Sequence, residues 1–95
     1  MAGETLIFSR HAVTQMFARR VTRDDVASTV AGGETIERHA RERPYPGRLM
    51  LGLPGGRPLH VVVADDILGG RTIVVTAYIP DAALWHPDWK TRRKT

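Results

Sequence analysis

The spacing of apolar residues predicts a short strand followed by a helix at the start of the chain. The stretch TLIFS (5–9) has strand character and ends in Ser9, a residue type that favours the N-cap of a helix. The next segment repeats apolar residues with a period of about 3.6, at Ala12, Val13, Met16 and Phe17. A polar row lies beside them at i, i+4 and i+8, and consists of His11, Gln15 and Arg19. This row is either an ordinary solvated helix side or one rim of an anion-binding site.

A second short helix is predicted to begin at the sequence TRDD and to end at the glycine pair 32–33. Thr22 and Asp25 have the spacing of a capping box, with aspartate in place of the usual glutamate or glutamine. Val26 and Val30 supply its apolar contacts. Two short helices therefore precede the rest of the chain.

From residue 34 onward the pattern indicates strands. The predicted strands are ETIERH (34–39), RLMLGLP (48–54), LHVVVADD (59–66) and RTIVVTAYIP (71–80). The arginine-rich ARERPYPG (40–47) contains two prolines and is predicted as a loop, and GGRP (55–58) is predicted as a hairpin turn. The order β-α-α-β-β-β-β predicts an α+β fold, with two N-terminal helices packed on a small antiparallel sheet.

Strand alternation divides the sheet residues between two faces. The predicted aliphatic face, which would pack on the helices, consists of Leu49, Leu51, Leu53, Leu59, Val61, Val63, Ile73, Val75, Ala77 and Ile79. The opposite face consists of Thr35, Glu37, His39, Arg48, Met50, His60, Val62, Thr72, Val74, Thr76 and Tyr78. Two histidines, an arginine and a tyrosine indicate a functional surface there. The alternative is the ordinary polar side of an open antiparallel sheet.

These residue types suit metal-free cleavage of RNA. That reaction needs a base, an acid and cationic stabilisation of the phosphorane, which histidine and arginine provide. The predicted catalytic residues are His11 and His60, as the proton-transfer pair, with Tyr78 and Thr76 to position the substrate. The predicted substrate-binding residues are Arg19, Arg48, Gln15 and Arg38, with Arg41 and Arg43 as further basic residues of the loop. No metal or other cofactor is predicted, because the four histidines have no diagnostic ligand spacing.

Length and composition predict one globular domain. The chain has 95 residues, of which 42% are hydrophobic and 25% charged. The absence of cysteine excludes disulfides and thiolate metal sites. No apolar run approaches the roughly 20 residues of a membrane helix, and no secretory signal is evident. A cytoplasmic protein without membrane contact is therefore expected.

The net charge of +4 is concentrated at the C-terminus. Residues 85–95 carry four basic residues against Asp88, whereas residues 1–84 are close to neutral. The sequence thus predicts a domain over 1–84 and a basic tail over 85–95. Such a tail either helps to hold a phosphate backbone or is a solvated terminus.

Several segments resemble family DUF4258, small prokaryotic proteins: FSRHAVTQMFARRVTRDDV, GGETIE, GRPLHVVVA and TIVVTAYIP. The resemblance runs from about Phe8 to Tyr78. The family is similar to the barnase/EndoU/colicin/RelE (BECR) group, whose members are often metal-independent ribonucleases and toxins. The resemblance implies a RelE-like α+β fold with an RNA groove on the open sheet face. It also implies RNA and an antitoxin or immunity protein as partners.

The resemblance is matched residue by residue at Ser9, His11, Ala12, Met16 and Arg19, at Pro58–Val61, and at Thr76 and Tyr78. Gln15 stands where the family usually has arginine. The favoured function is a metal-independent endoribonuclease or ribonuclease-like toxin. The alternative, which Gln15 favours, is a non-catalytic RNA- or protein-binding module of the same fold. A small-ligand or metal protein is a third interpretation.

Overall fold

The structure is a computed structural model that describes residues 5–94. Its elements are β1 (Thr5–Phe8), α1 (Arg10–Arg19), α2 (Arg23–Gly32), β2 (Glu34–His39), β3 (Gly47–Gly52), β4 (Leu59–Asp66) and β5 (Arg71–Tyr78). The predicted α+β class and element order are confirmed. Residues 1–4 and 95, the outer ends of the predicted domain and tail, lie outside the described residues.

Both helices begin at the predicted caps. The Ser9 hydroxyl accepts a hydrogen bond from the Ala12 N–H at 3.0 Å and donates one to the Val75 carbonyl at 3.1 Å. Ser9 therefore starts α1 and also ties its N-terminus to β5. Thr22 and Asp25 form a reciprocal capping box, with bonds of 3.0 and 3.1 Å between side chains and main-chain N–H groups.

The sheet of the described residues has five strands in the order β1-β5-β4-β3-β2. Strands β2 to β5 pair antiparallel, but β1 pairs parallel with β5, so the sheet is mixed rather than wholly antiparallel. Alternation of apolar and polar residues identifies a strand without giving its direction. The parallel edge was therefore missed in the prediction.

The helices pack on one face of this sheet. The buried apolar cluster there consists of Ala12, Met16, Val21, Val26, Met50, Leu59, Val61, Val63, Val74 and Ala77. The predicted grouping of Leu49 and Leu51 with Val61 is wrong. In the register observed, Met50 lies opposite Val61, whereas Leu51 lies opposite His60. Because directly opposed residues point to the same side, Met50 faces the helices and Leu51 faces away from them.

A register shift in β5 also changes which of its residues lie on each face of the sheet. Val62 pairs with Thr76, but the next residue, Val63, pairs with Val74. Val75 is therefore an extra residue, as in a β-bulge. Thr72 and Val74 consequently share the helix-facing side with Val63, which corrects their predicted place on the polar face. Tyr78 remains beside His60 on the other side.

The C-terminal hairpin (residues 84–93) covers that other side. Trp85 and Arg92 form an antiparallel bridge, flanked by bonds from the His86 N–H to the Thr91 carbonyl and from the Arg93 N–H to the Leu84 carbonyl, both 2.9 Å. The side chain of Asp88 closes the turn by accepting from the N–H groups of residues 90 and 91. The predicted tail is thus basic but folded against the sheet.

Candidate functional site

His60 is the centre of the polar cluster on the sheet face that the hairpin covers. Its side chain is completely buried. The imidazole Nε2 lies 2.7 Å from the Trp89 carbonyl oxygen, and Nδ1 lies 3.2 Å from the Tyr78 hydroxyl. Because a carbonyl only accepts, Nε2 carries the proton, and in the neutral ring Nδ1 accepts from Tyr78. Both ring nitrogens are therefore engaged within the protein.

Aromatic rings complete the enclosure of His60. The rings of Trp85 and His60 meet edge to face, with centroids 4.5 Å apart, and the Tyr78 ring lies 5.2 Å away in a similar orientation. Trp85 is only 3% exposed. Burial lowers the pKa of His60 and raises the pKa of Tyr78. The histidine is thus held in its neutral form, away from solvent.

Two ion pairs fasten the hairpin to β2. Arg92 donates to both carboxylate oxygens of Glu37, at 3.0 and 3.2 Å, and its guanidinium stacks over Trp85 at 4.6 Å. Lys90 lies 2.8 Å from the Glu34 carboxylate. The hydrogen bond from Arg92 lowers the pKa of Glu37. The basic residues of the hairpin therefore neutralise the acidic residues of β2.

His39 extends this network at the exposed end of β2. Its Nδ1 lies 3.2 Å from the Glu42 carboxylate, and its Nε2 lies 3.3 Å from Glu37. These carboxylates, chiefly Glu42, raise the pKa of His39. The two carboxylates therefore stabilise the imidazolium form of His39, whereas burial disfavours that form of His60.

The predicted site residues fall into three separate groups. His60, Thr76 and Tyr78 share the hairpin-covered face of the sheet. The second group, Arg38 and Arg48, lies opposite each other on the helix-facing side. His11, Gln15 and Arg19 lie on α1, which packs against that same side. The structure therefore does not bring His11 and His60 together, because the sheet separates them.

The row on α1 is mostly solvated. His11 and Arg19 are exposed. The Arg19 guanidinium donates to the Gln15 side-chain oxygen and lies 3.5 Å from the Ala77 carbonyl. Gln15 is half-buried. The three residues form one rim of α1 beside β5, without a histidine or tyrosine of the sheet.

Arg48 lines a cleft between β2, β3 and the β4–β5 connection. It forms a two-pronged salt bridge with Asp65, at 2.7 and 2.8 Å, and donates to the Thr35 hydroxyl at 3.4 Å. The cleft has a volume of about 470 Å³, and it is lined by Arg38, Arg48, Asp65, Ile67 and Gly70. Asp65 neutralises Arg48, so Arg48 fixes the floor of the cleft rather than supplying a free positive charge.

Three further arginines define the arginine edge: Arg38, which lines the cleft, and Arg41 and Arg43 of the β2–β3 loop. Arg38 pairs with Arg48 one residue before the end of β2, and the loop is tied to β4 by a bond from the Asp65 N–H to the Pro46 carbonyl, 2.8 Å. All three side chains are exposed. Among residues 5–94, none of the three forms a salt bridge with a carboxylate. The arginine edge therefore has guanidinium groups available to an anion.

The sequence predicts Trp85 and Trp89 as a cover over the core rather than as site residues, and it assigns no contact to Arg92. Trp85, Trp89 and Arg92 contact His60 or Glu37, which lie 25 to 55 residues earlier in the chain. The available signal was the alternation WHPDW followed by basic residues, opposite two glutamates in ETIERH. Charge complementarity between these two segments points to their pairing.

A family comparison covers most of the chain. The sequence profile described as "Domain of unknown function (DUF4258)" matches residues 8–79. The chain belongs to the DUF4258 family. No curated protein and no solved structure matches it at a significant level.

The DUF4258 match covers the sheet residues of the site but not the C-terminal hairpin. His60, Tyr78 and the arginine edge lie inside the matched residues, whereas the C-terminal hairpin lies beyond residue 79. The cover over His60 is thus built from sequence outside the region by which this DUF4258 domain is recognised.

Neither helix described in residues 5–94 has the length and apolar character needed to cross a bilayer. Within the same residues, no three potential metal ligands converge on one point.

Proposed function

We propose that this DUF4258 domain binds RNA along the arginine edge and does not cleave it in its folded form. The supporting observation is the set of three exposed arginines, Arg38 in the Arg48 cleft and Arg41 and Arg43 in the adjoining loop, without a salt bridge among residues 5–94. Arginine presents a planar fork of donors that matches phosphate oxygens. RNA is proposed over other polyanions on the similarity to the BECR group.

The local charge supports anion binding. The segments 38–48 and 65–71 contain five arginines and three carboxylates. Two of these carboxylates are already paired, Asp65 with Arg48 and Asp66 with Arg71. Glu42 is engaged with His39. Five arginines against three carboxylates leave an excess of two positive charges, so the net field at this end of the sheet attracts phosphate.

Lack of cleavage is proposed from the state of His60. A general base or acid must reach the proton that it transfers, directly or through one water. His60 is buried, and its two nitrogens are bonded to Trp89 and Tyr78. His11 lies across the sheet from it. RNA bound at the arginine edge therefore meets no pair of histidines.

Anisotropy of a labelled single-stranded RNA tests the proposal. We expect affinity to fall steeply between about 50 and about 200 mM salt, and Arg41→Ala or Arg43→Ala to reduce the salt slope by about 1 each. Arg57→Ala removes the same charge in the β3–β4 connection, at the opposite end of β3, and serves as the matched control. Equal effects of all three substitutions, or no binding at low salt, would overturn the proposal.

The second candidate function is metal-independent endoribonuclease activity, favoured by the bond between His60 and Tyr78. A tyrosine hydroxyl and an imidazole 3.2 Å apart can exchange a proton, and Glu37 and Arg92 lie beside them. The hairpin would have to leave for RNA to reach them. RNA cleavage in EDTA that falls by about 10²-fold in Tyr78→Phe would support this candidate and reject the non-catalytic proposal.

A further inference from the structure

We propose that a groove along α1 binds an acidic amphipathic helix of a partner protein. The α1 groove has a volume of about 270 Å³, and it is lined chiefly by Phe8, Val13, Met16, Phe17, Val21 and Arg23. It lies on the surface of α1 and the start of α2, away from the arginine edge and from His60. The inference is thus independent of the proposed RNA binding.

The α1 groove leaves large apolar side chains uncovered. Phe17 is 87% exposed and Val13 is 50% exposed. Met16 and Val21 form the floor and belong to the buried core. A concave apolar surface continuous with the core and rimmed by polar residues is typical of a protein interaction site. The exposed ring of Phe17 is the natural anchor for such a contact.

The charge around the α1 groove selects an acidic partner. The segment from Ser9 to Arg23 contains four arginines and no carboxylate. Arg19 is directed to Gln15 and the Ala77 carbonyl, which leaves Arg10, Arg20 and Arg23 around the groove. The Arg23 guanidinium lies over the Phe8 ring at 4.7 Å, directly in the wall of the groove. The first acidic residues, Asp24 and Asp25, belong to the first turn of α2. A partner helix with carboxylates on either side of its apolar stripe would form ion pairs with the arginines around the groove.

The shape of the α1 groove suits a helix. Along α1, Arg10, Val13 and Phe17 follow one line at i, i+3 and i+7, and Arg20 is the C-cap residue after its last turn. A ridge of this kind packs against the ridges of a second helix. The partner would place aliphatic residues at i, i+3, i+4 and i+7 against Val13 and Phe17. Its acidic residues would then reach the arginines at both ends of the line.

Two other occupants fit less well. A second copy of this chain would bring its own Arg10, Arg20 and Arg23 against the same arginines, which is repulsive. RNA gains affinity by stacking successive bases on aromatic faces. Arg23 already stacks on the Phe8 ring, and beside Phe17 the lining is aliphatic, at Val13, Met16 and Val21. A helix with an apolar stripe and acidic flanks complements both the apolar floor of the α1 groove and the positive charge around it.

The test uses the full chain and a labelled synthetic helical peptide with leucines at i, i+3, i+4 and i+7 and glutamates on the flanks. The comparison peptide has lysine at every glutamate. We expect the acidic peptide to bind at least about tenfold more tightly than the lysine peptide, and Phe17→Ser to weaken it by about tenfold or more. Leu68→Ser, an equally exposed apolar residue in the β4–β5 turn, is the matched control.

Cross-controls separate this surface from the arginine edge. Arg20→Glu should weaken binding of the acidic peptide and leave RNA binding unchanged. Arg41→Ala should weaken RNA binding and leave binding of the peptide unchanged. The proposal is overturned if neither peptide binds, if both bind equally, or if Leu68→Ser has the same effect as Phe17→Ser. A dimer in sedimentation that Phe17→Ser dissociates would reassign the groove to a second copy. Phe17-dependent binding to anionic vesicles without peptide binding would reassign it to a lipid surface.

Discussion

The imidazole Nε2 of His60 donates a hydrogen bond of 2.7 Å to the main-chain carbonyl of Trp89, 29 residues further along the chain. Trp89 has a left-handed backbone conformation with φ of 60°, which is uncommon for a residue other than glycine. The bond joins strand β4 to the turn of the C-terminal hairpin. His60 is therefore a structural link in this state of the protein, since it holds the segment that covers it.

The first prediction concerns this link. His60→Ala should lower the free energy of unfolding by about 2–4 kcal/mol, because it leaves a cavity and deprives Trp89 and Tyr78 of their partner. Urea denaturation measures the change. His11→Ala is the matched control, since His11 is exposed, and its effect should stay within about 0.5 kcal/mol. Equal stabilities of the two variants would show that His60 has no structural role.

A second prediction concerns pH. Burial lowers the pKa of His60 below that of the unfolded chain, about 6.5. The unfolded state therefore binds the proton more readily, and the free energy of unfolding should fall as pH drops from about 7.5 to about 5.5. The fall should level off below the folded pKa. Glu37, Asp66 and Asp88 have lowered pKa values and remain ionised in this window.

Urea titrations at several pH values measure this slope in the wild type, in His60→Asn and in His11→Ala. The raised pKa of His39 acts in the opposite sense, since its contribution is present at low pH and lost as pH rises. That contribution is small because His39 is exposed. His60→Asn should remove most of the slope, and His11→Ala should retain it. An unchanged slope in His60→Asn would assign the pH dependence to another group.

The sequence allowed the element order and the helix caps to be predicted, because these depend on local residues. Ser9 and Thr22 act within three positions of themselves. The sheet faces depended on register, which the pairing of Gly52 with Leu59 decides. The site depended on contacts of long range, such as that between Glu37 and Arg92. Periodicity carries no information about such contacts, so the cover over His60 could not be derived from it.

A third prediction concerns the glycine pair after α2. A Cβ added at Gly33 would lie 2.5 Å from the carbonyl oxygens of both Leu51 and Thr29, whereas one added at Gly32 would meet no atom within 4 Å. Gly33→Ala should therefore lower the free energy of unfolding by about 1–3 kcal/mol. Gly32→Ala should leave it unchanged or raise it by up to about 1 kcal/mol. Thermal unfolding of both variants measures the contrast. Equal melting temperatures would show that Gly33 has room for a side chain between α2 and β3.

The last prediction concerns the ion pair that closes the hairpin. Arg92 is largely exposed, so Arg92→Ala should cost only about 0.5–1 kcal/mol of global stability, from the pair with Glu37 and the stacking on Trp85. Its larger effect should be local. Amide exchange at His86 and Arg93, whose N–H groups close the hairpin, should accelerate, while amides in the centre of β4 stay protected.

Lys94→Ala is the control, because it removes a neighbouring exposed charge. It should change neither the free energy of unfolding nor the exchange rates of the hairpin amides. If the hairpin amides and the β4 amides accelerate together in Arg92→Ala, the hairpin does not open as a separate unit. Separate opening would instead mean that His60 and Tyr78 become accessible without unfolding of the sheet. Endoribonuclease activity, the second candidate function, requires that access, so the exchange measurement decides whether the folded chain can provide it.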